Sequence, residues 1–170
     1  MAEMWDVLDE HGNKTGRLHE RGKPMKAGDY HLVVSIWIVN SNGEFLISKR
    51  APNADKWPNM WHITGGSAVT GDDSLSAALR ETKEELDIDL DPENGQLFKQ
   101  YREEDFTGKD GFFVDVWLFR QEADISYIVF QPGEISDAMW ASKHQIIKMK
   151  DEGVFVSQFY PYIDELFRKI

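Results

Sequence analysis

Apolar residues along this chain fall into two rhythms. Over residues 30–39 they alternate with period two, the signature of a strand. Leu32, Val34, Ile36 and Ile38 fall on one face, and Val33, Trp37 and Val39 on the other. A strand apolar on both faces belongs in a sheet covered on both sides. Asn40-Ser41-Asn42-Gly43 turns it into a second strand over residues 44–49. Upstream, residues 5–8 and 14–17 flank the turn signal Asp9-Glu10-His11-Gly12-Asn13, which predicts an N-terminal β-hairpin. Residues 21–29 read as loop, and residues 57–61 lead to a short strand before Gly65.

After the glycine pair Gly65-Gly66 the period changes to that of a helix. Leu75, Ala78, Leu79, Thr82 and Leu86 share the side expected to be buried, while Glu81, Glu84 and Glu85 share the opposite stripe. Residues 97–103 and 112–119 then pair as a hairpin around Thr107-Gly108-Lys109-Asp110-Gly111, and residues 134–141 form another strand. Ser142 opens a helix with Gln145 three residues on, a capping box, and Gly153 closes it. Residues 160–170 predict a terminal helix with Pro161 in its first turn. This order predicts an α/β fold with a mixed sheet between helices. With no repeat, low-complexity tract or linker, residues 1–170 read as a single domain.

Composition narrows the function classes. The chain carries 30 acidic against 19 basic residues, a net charge of −11. That disfavours a nucleic-acid polymer or an anionic membrane as partner. A small anionic substrate stays possible, because a metal ion and local basic residues reverse the field at a site. There is no cysteine, which removes disulfides, thiolate catalysis and Cys-based zinc sites. No apolar run approaches the ~20 residues that span a bilayer. No apolar signal segment stands in the first thirty residues, so a soluble, cytoplasmic protein is expected.

The acidic stripe carries the chemistry. Three carboxylates on one face repel unless a cation neutralises them. A hard divalent ion such as Mg²⁺ takes oxygen ligands of this kind and keeps positions for water and phosphate. A bare run of Glu on a helix is more often a solvated face. Here a tight glycine turn stands fourteen residues before Arg80, near enough to return a backbone carbonyl to the carboxylates.

The segment resembles the Nudix box, Gly-x5-Glu-x7-Arg-Glu-U-x-Glu-Glu-x-Gly-U, where U is a bulky aliphatic residue. Gly66 matches its first glycine, Arg80, Glu81, Glu84 and Glu85 its core, and Ile88 its last aliphatic residue. Asp72 stands in place of Glu, Thr82 of the aliphatic residue and Asp87 of the second glycine. Asp tolerates the left-handed backbone better than most residues, so that last turn can survive. The resemblance implies an α/β/α sandwich and a Mg²⁺- or Mn²⁺-dependent hydrolase. The metal would be held by Glu81, Glu84, Glu85 and the Gly66 carbonyl. Arg80 would orient Glu81 and, with Asp72, brace the loop against the helix.

Residues outside the box extend the reading. Glu134 could add a metal ligand or general base beside Glu81, or be an exposed edge residue. Arg50 ends a strand and could grip phosphate, or face solvent with Lys49. Asp115, a charge within an apolar strand, could face the cleft and bind substrate, or lie at a strand edge. The pattern Tyr30-His31-Leu32, Asn40-x-Asn42-Gly43, Lys49-Arg50 and Pro58-Asn59-Met60-Trp61 resembles the branch that includes isopentenyl-diphosphate isomerase. Where that isomerase has a Cys before the box glycine and a His after it, this chain has Gly65 and Ser67. Isomerase activity is therefore not expected, and His31 reads as a structural histidine with its hydrogen bonds satisfied. The reading is a hydrolase of a small diphosphate compound such as a nucleoside diphosphate derivative. A catalytically weak nucleotide-binding or regulatory module is the alternative. Selectivity would lie in residues 21–29, 50–58 and 106–111.

Overall fold

The computed structural model describes residues 1–104 and 110–170. The expected turn at residues 107–111 therefore lies largely outside the described residues, as does most of the expected selectivity segment at residues 106–111.

The backbone of the fold is β3 (Tyr30–Val39), as its two-faced apolar pattern requires. Along its whole length it pairs in parallel with β8 (Gly111–Arg120), from Tyr30 opposite Gly111 to Val39 opposite Arg120. Its other edge takes β6 (Thr64–Ser67) antiparallel, placing Ser35 opposite Gly65 and Val34 opposite Gly66. β4 (Phe45–Arg50) follows from the turn in which Gly43 adopts φ +75°. It carries β5 (Trp61–His62) on one edge and β9 (Ile135–Ala141) on the other. β7 (Gly95–Glu104) pairs with β8. The predicted hairpin forms from β1 (Met4–Leu8) and β2 (Lys14–Glu20) and joins the sheet where Leu8 meets Tyr30. The sheet is mixed, as expected.

Each face of the sheet has its own core. Val34, Ile36, Ile38 and Leu46 pack beneath Ala77, Ala78 and Leu86 of helix α1 (Ser74–Leu86). Trp37, Phe45, Ile47 and Val116 pack against Ile146 of α2 (Lys143–Asp151) and Leu166 and Phe167 of α3 (Ile163–Lys169). Buried Trp37 satisfies its indole N–H on the Tyr162 hydroxyl at 2.9 Å. The result is the expected α/β/α sandwich. No helix among the described residues is long and apolar enough to cross a membrane.

Several boundaries differ from the sequence expectation. The terminal helix starts at Ile163, not at residue 160. Residues 157–159 form a separate 3-10 turn, and Pro161 lies before the helix, since the Tyr160 and Tyr162 rings are drawn into the core. The strand expected from residue 134 begins at Ile135. The glycine pair is not a loop after a strand but lies within β6.

Candidate active site

Helix α1 is set by its caps. Asp73 accepts from the Ser76 N–H, and the Ser76 side chain returns to the Asp73 N–H, closing a capping box. At the other end Asp87 takes φ +53°, the left-handed conformation that ends a helix, and Lys83 pairs with it at 2.7 Å. Thr82 is fully buried and donates its hydroxyl to the Ala78 carbonyl at 2.9 Å, so the polar atom at this aliphatic position is satisfied inside the helix.

Arg80 organises the acidic stripe. Its Nε and Nη2 both donate to Asp72 Oδ2, at 3.1 and 3.0 Å, and Nη2 also reaches the Ser67 carbonyl at 3.1 Å. Its Nη1 donates to Glu81 and to Glu84, each at 3.2 Å. Burial alone would lower the guanidinium pKa, but Glu81, Asp72 and Glu84 outweigh it and hold it above its ordinary value. The shortened Asp72 therefore still reaches Arg80 directly. Its Oδ2 also accepts from the Val69 N–H at 3.1 Å, tying the loop to the helix.

The N-terminal hairpin braces this loop from outside. Asp6 accepts from the Gly71 N–H at 3.2 Å, and Lys14 pairs with Asp6 at 3.1 Å and donates to the Asp72 carbonyl at 3.3 Å. Sequence reasoning gave the hairpin no role, because Asp6 and Lys14 stand more than fifty residues from the loop and no spacing rule links them.

The two glycines do different things. A Cβ on Gly66 would lie 2.4 Å from the Glu81 carboxyl carbon. A Cβ on Gly65 would lie 2.6 Å from the Val34 carbonyl oxygen. Gly66 thus admits the Glu81 carboxylate against the backbone, and Gly65 admits the neighbouring strand. Burial raises the Glu81 pKa to about 7, with Arg80 opposing and Glu84 and Glu3 adding to it. Glu85 is not on a solvated polar face as the stripe implied. Its Oε2 is sealed from solvent and has no hydrogen-bond partner among the described residues. Burial first, then the Glu81 charge, pushes its pKa well above the ordinary carboxylate value, with Arg50 opposing and Glu134 adding to the rise.

A cavity of about 260 Å³ brings Glu85, Gly65 and Gly66 together with Arg50 and His62. Of the residues expected outside the box, Arg50 is thus at the site. Glu134 is exposed and precedes β9, its carbonyl accepting from the Ala51 N–H at 2.8 Å, and its charge is felt at Glu85. Asp115 is not brought there. It is buried on the α1 face of β8, bonded to Gln100 at 2.5 Å, and lines a separate cavity with Ser74 and Asp72. His31 is buried and stacked on Trp5 at 3.9 Å between ring centroids, away from that cavity. Its Nδ1 has no partner among the described residues, so it is structural through packing rather than satisfied by hydrogen bonds. His62, given no role from sequence, is the residue the sheet adds to the site.

Whether a divalent cation fits can be judged from the donors. Glu81, Glu85 and the backbone beside Gly66 offer only oxygen, the ligand type of Mg²⁺ and Mn²⁺. The unpartnered Glu85 oxygen and the two raised carboxyl pKa values mark negative charge that lacks compensation. Among the described residues no three acidic or imidazole side chains form an ion cage by themselves, since Glu84 turns outward to Arg80. Mg²⁺ is usually held by one or two carboxylates with water and substrate phosphate, so these residues fit it.

Comparison with known proteins places this geometry in a family. The NUDIX domain model matches residues 29–163. An uncharacterised Nudix hydrolase of Listeria monocytogenes is 34% identical over 167 residues, covering 97% of this chain and 94% of that protein. An isopentenyl-diphosphate Delta-isomerase of Citrobacter koseri is 28% identical over 85 residues, 49% of this chain and 47% of that protein. The crystal structure of DR0079 from Deinococcus radiodurans superimposes with a TM-score of 0.72 at 24% identity, covering 98% of each chain.

Proposed function

The chain belongs to the Nudix hydrolase family, and from that premise we propose that it cleaves a diphosphate linkage in a small molecule, a nucleoside diphosphate derivative, with the help of Mg²⁺ or Mn²⁺. The observation that carries the proposal is the Glu81 carboxylate set against Gly66, next to a cavity that Glu85, Gly65, Gly66 and Arg50 line together. Glu81, Glu85 and the Gly66 carbonyl would hold the ion, with Glu84 joining as a ligand or through the Arg80 network. When bound, the ion would lower the pKa of a coordinated water and polarise phosphoryl oxygens.

The protein's own groups do the rest. Arg50 supplies a planar cationic fork for a phosphate of the substrate. Arg80 fixes the Glu81 carboxylate while Asp72 fixes Arg80. Glu81 accepts the proton of the attacking water. Glu134 is the alternative base, exposed and near enough for its charge to act on Glu85. The net charge of −11 disfavours a nucleic-acid polymer and favours a small molecule as the substrate. The direct Asp72–Arg80 contact supports the hydrolase over a decayed binding module.

A panel of diphosphate compounds incubated with Mg²⁺ or Mn²⁺ and read by released phosphate or nucleotide tests this. Turnover that vanishes in excess chelator is the expected result. Full activity in chelator would overturn the metal assignment, and no turnover of any compound would overturn the hydrolase.

A further inference from the structure

One buried charge takes no part in the diphosphate site. Asp115 stands in the middle of β8 and is only 3% exposed. Phe113 and Asp115 are two residues apart on one strand, so both face α1. Leu32 of β3 lies opposite Phe113, and Gln100 of β7 lies opposite Asp115. A cavity of about 240 Å³ opens over these four, bordered by Leu8 of the hairpin and by Ser74, where α1 begins.

A buried carboxylate is costly unless a cation or several donors compensate it. Asp115 has one neutral donor. Gln100 Nε2 donates to its Oδ1 at 2.5 Å. Among the described residues no basic group pairs with it, and its Oδ2 has no hydrogen bond. That oxygen is not sealed by packing, as Glu85 Oε2 is, and so it opens on the cavity. Lys14 also borders the cavity, but its ammonium is held by Asp6 at 3.1 Å and by the Asp72 carbonyl at 3.3 Å.

The remaining polar atoms around the cavity are acceptors. Gln100 has turned its amide nitrogen to Asp115, which leaves its carbonyl oxygen free. The Ser74 hydroxyl oxygen accepts from the Trp117 indole at 2.9 Å and keeps a lone pair. Asp73, the cap of α1, adds a second carboxylate at the rim and offsets the positive end of the helix. The walls are Leu8, Leu32 and Phe113. A primary ammonium brings three donors and no acceptor. A short alkyl stem suits the apolar walls, and the Phe113 ring favours a cation beside it. The volume lies below the roughly 300–1,000 Å³ of sites for drug-sized ligands, which excludes a nucleotide. We propose that this cavity binds a small primary alkylammonium compound whose charge pairs with Asp115. The site is separate from the diphosphate cavity and does not rest on the hydrolase reading.

The probe is n-butylammonium chloride, with potassium chloride at equal ionic strength as the control. At pH 7 the probe should raise the melting temperature of the wild type above that in potassium chloride, since a ligand of the folded state stabilises it. Its affinity, read by isothermal calorimetry, should fall about tenfold or more in Asp115→Asn, the worth of a hydrogen bond to a charged group. Asp164→Asn removes the same charge from an exposed position on α3 and should bind the probe as the wild type does. Amide NMR of the wild type gives an answer even if Asp115→Asn does not fold. The probe should shift the signals of Leu8, Ser74, Gln100 and Phe113 first. Equal stabilisation by potassium chloride, unchanged affinity in a folded Asp115→Asn, or shifts spread over the exposed acidic surface would each overturn the site.

Discussion

Two nitrogens of Arg80, Nε and Nη2, converge on one oxygen of Asp72, at 3.1 and 3.0 Å. A carboxylate one methylene shorter than the family residue still reaches its arginine, in a loop that the hairpin also holds through Asp6 and Lys14. Asp72→Glu should therefore leave kcat/KM within tenfold of wild type. Asp72→Asn, which removes the charge from the pair, should lower it by about ten- to hundredfold, the worth of a charged hydrogen bond at roughly 1.5–3 kcal/mol. A gain of more than tenfold for Asp72→Glu would instead favour a decayed, mainly binding module.

The adjacent glycines should separate stability from activity. In Gly65→Ala the new methyl meets the Val34 carbonyl, which is part of the sheet and cannot retreat. A loss of about 1–3 kcal/mol is expected in urea denaturation. In Gly66→Ala the methyl meets first the carboxylate of Glu81, a side-chain end rather than backbone, and displaces it. That variant should melt close to wild type and yet lose most of its turnover. The reverse assignment of effects would show that the two glycines have been read in the wrong order.

Glu85→Gln should separate folding from metal binding. The apo variant should be at least as stable as wild type, because a carboxylate disfavoured by burial becomes a neutral amide. The rise in melting temperature on adding Mg²⁺ or Mn²⁺ should shrink, since an ion stabilises only the state it binds. An unchanged rise would remove Glu85 from the ligand set.

Two buried histidines each lower the stability of the fold in acid. Burial lowers the His31 pKa to about 4 and, with Arg50 adding, the His62 pKa to about 3. Both are neutral in either state above pH ~6.5, the unfolded value, and contribute no pH dependence there. Below it the unfolded chain takes up protons that these histidines refuse in the fold, which lowers stability as pH drops toward 4. Glu81 and Glu85, with raised pKa values in the fold, take up protons there over the same range and oppose the fall, so the histidine share is the difference in slope between variants. Each group contributes a slope of up to about 1.4 kcal/mol per pH unit. Urea midpoints at pH 7, 6 and 5 measure it. His31→Asn should be less stable at every pH but show a shallower slope, and an unaltered slope would mean that His31 is charged in the fold.

Isopentenyl diphosphate should give no dimethylallyl isomer above background. Beyond the missing acid, the position of that acid has no room, since any side chain at residue 65 would strike the Val34 carbonyl. Metal-dependent isomerisation detected by product analysis would show that another group protonates the alkene.

The sequence by itself determined the elements that rest on local rules. β3 shows in its alternation, α1 in its period and α2 in its Ser142–Gln145 capping box, since each depends on residues within a few positions of one another. The glycine-to-glutamate spacing was legible for the same reason, and so were Arg80, Glu81 and Gly66. Tertiary structure decided what depends on distant partners. It half-buried Glu85 and sealed its Oε2 from solvent, although the residue lies on the polar side of its helix, because β6 packs along α1. It turned Asp115 away from the cleft, because parallel pairing with β3 places it opposite Val34, on the face α1 covers. It moved the start of the last helix to Ile163, because Tyr160 and Tyr162 gain more as core residues than as a first turn. It joined the hairpin to the Asp72 loop and Trp57 to Phe159, contacts across sixty to a hundred residues. Periodicity reports which side of an element is apolar, but which neighbour covers that side is settled only when the sheet order is fixed.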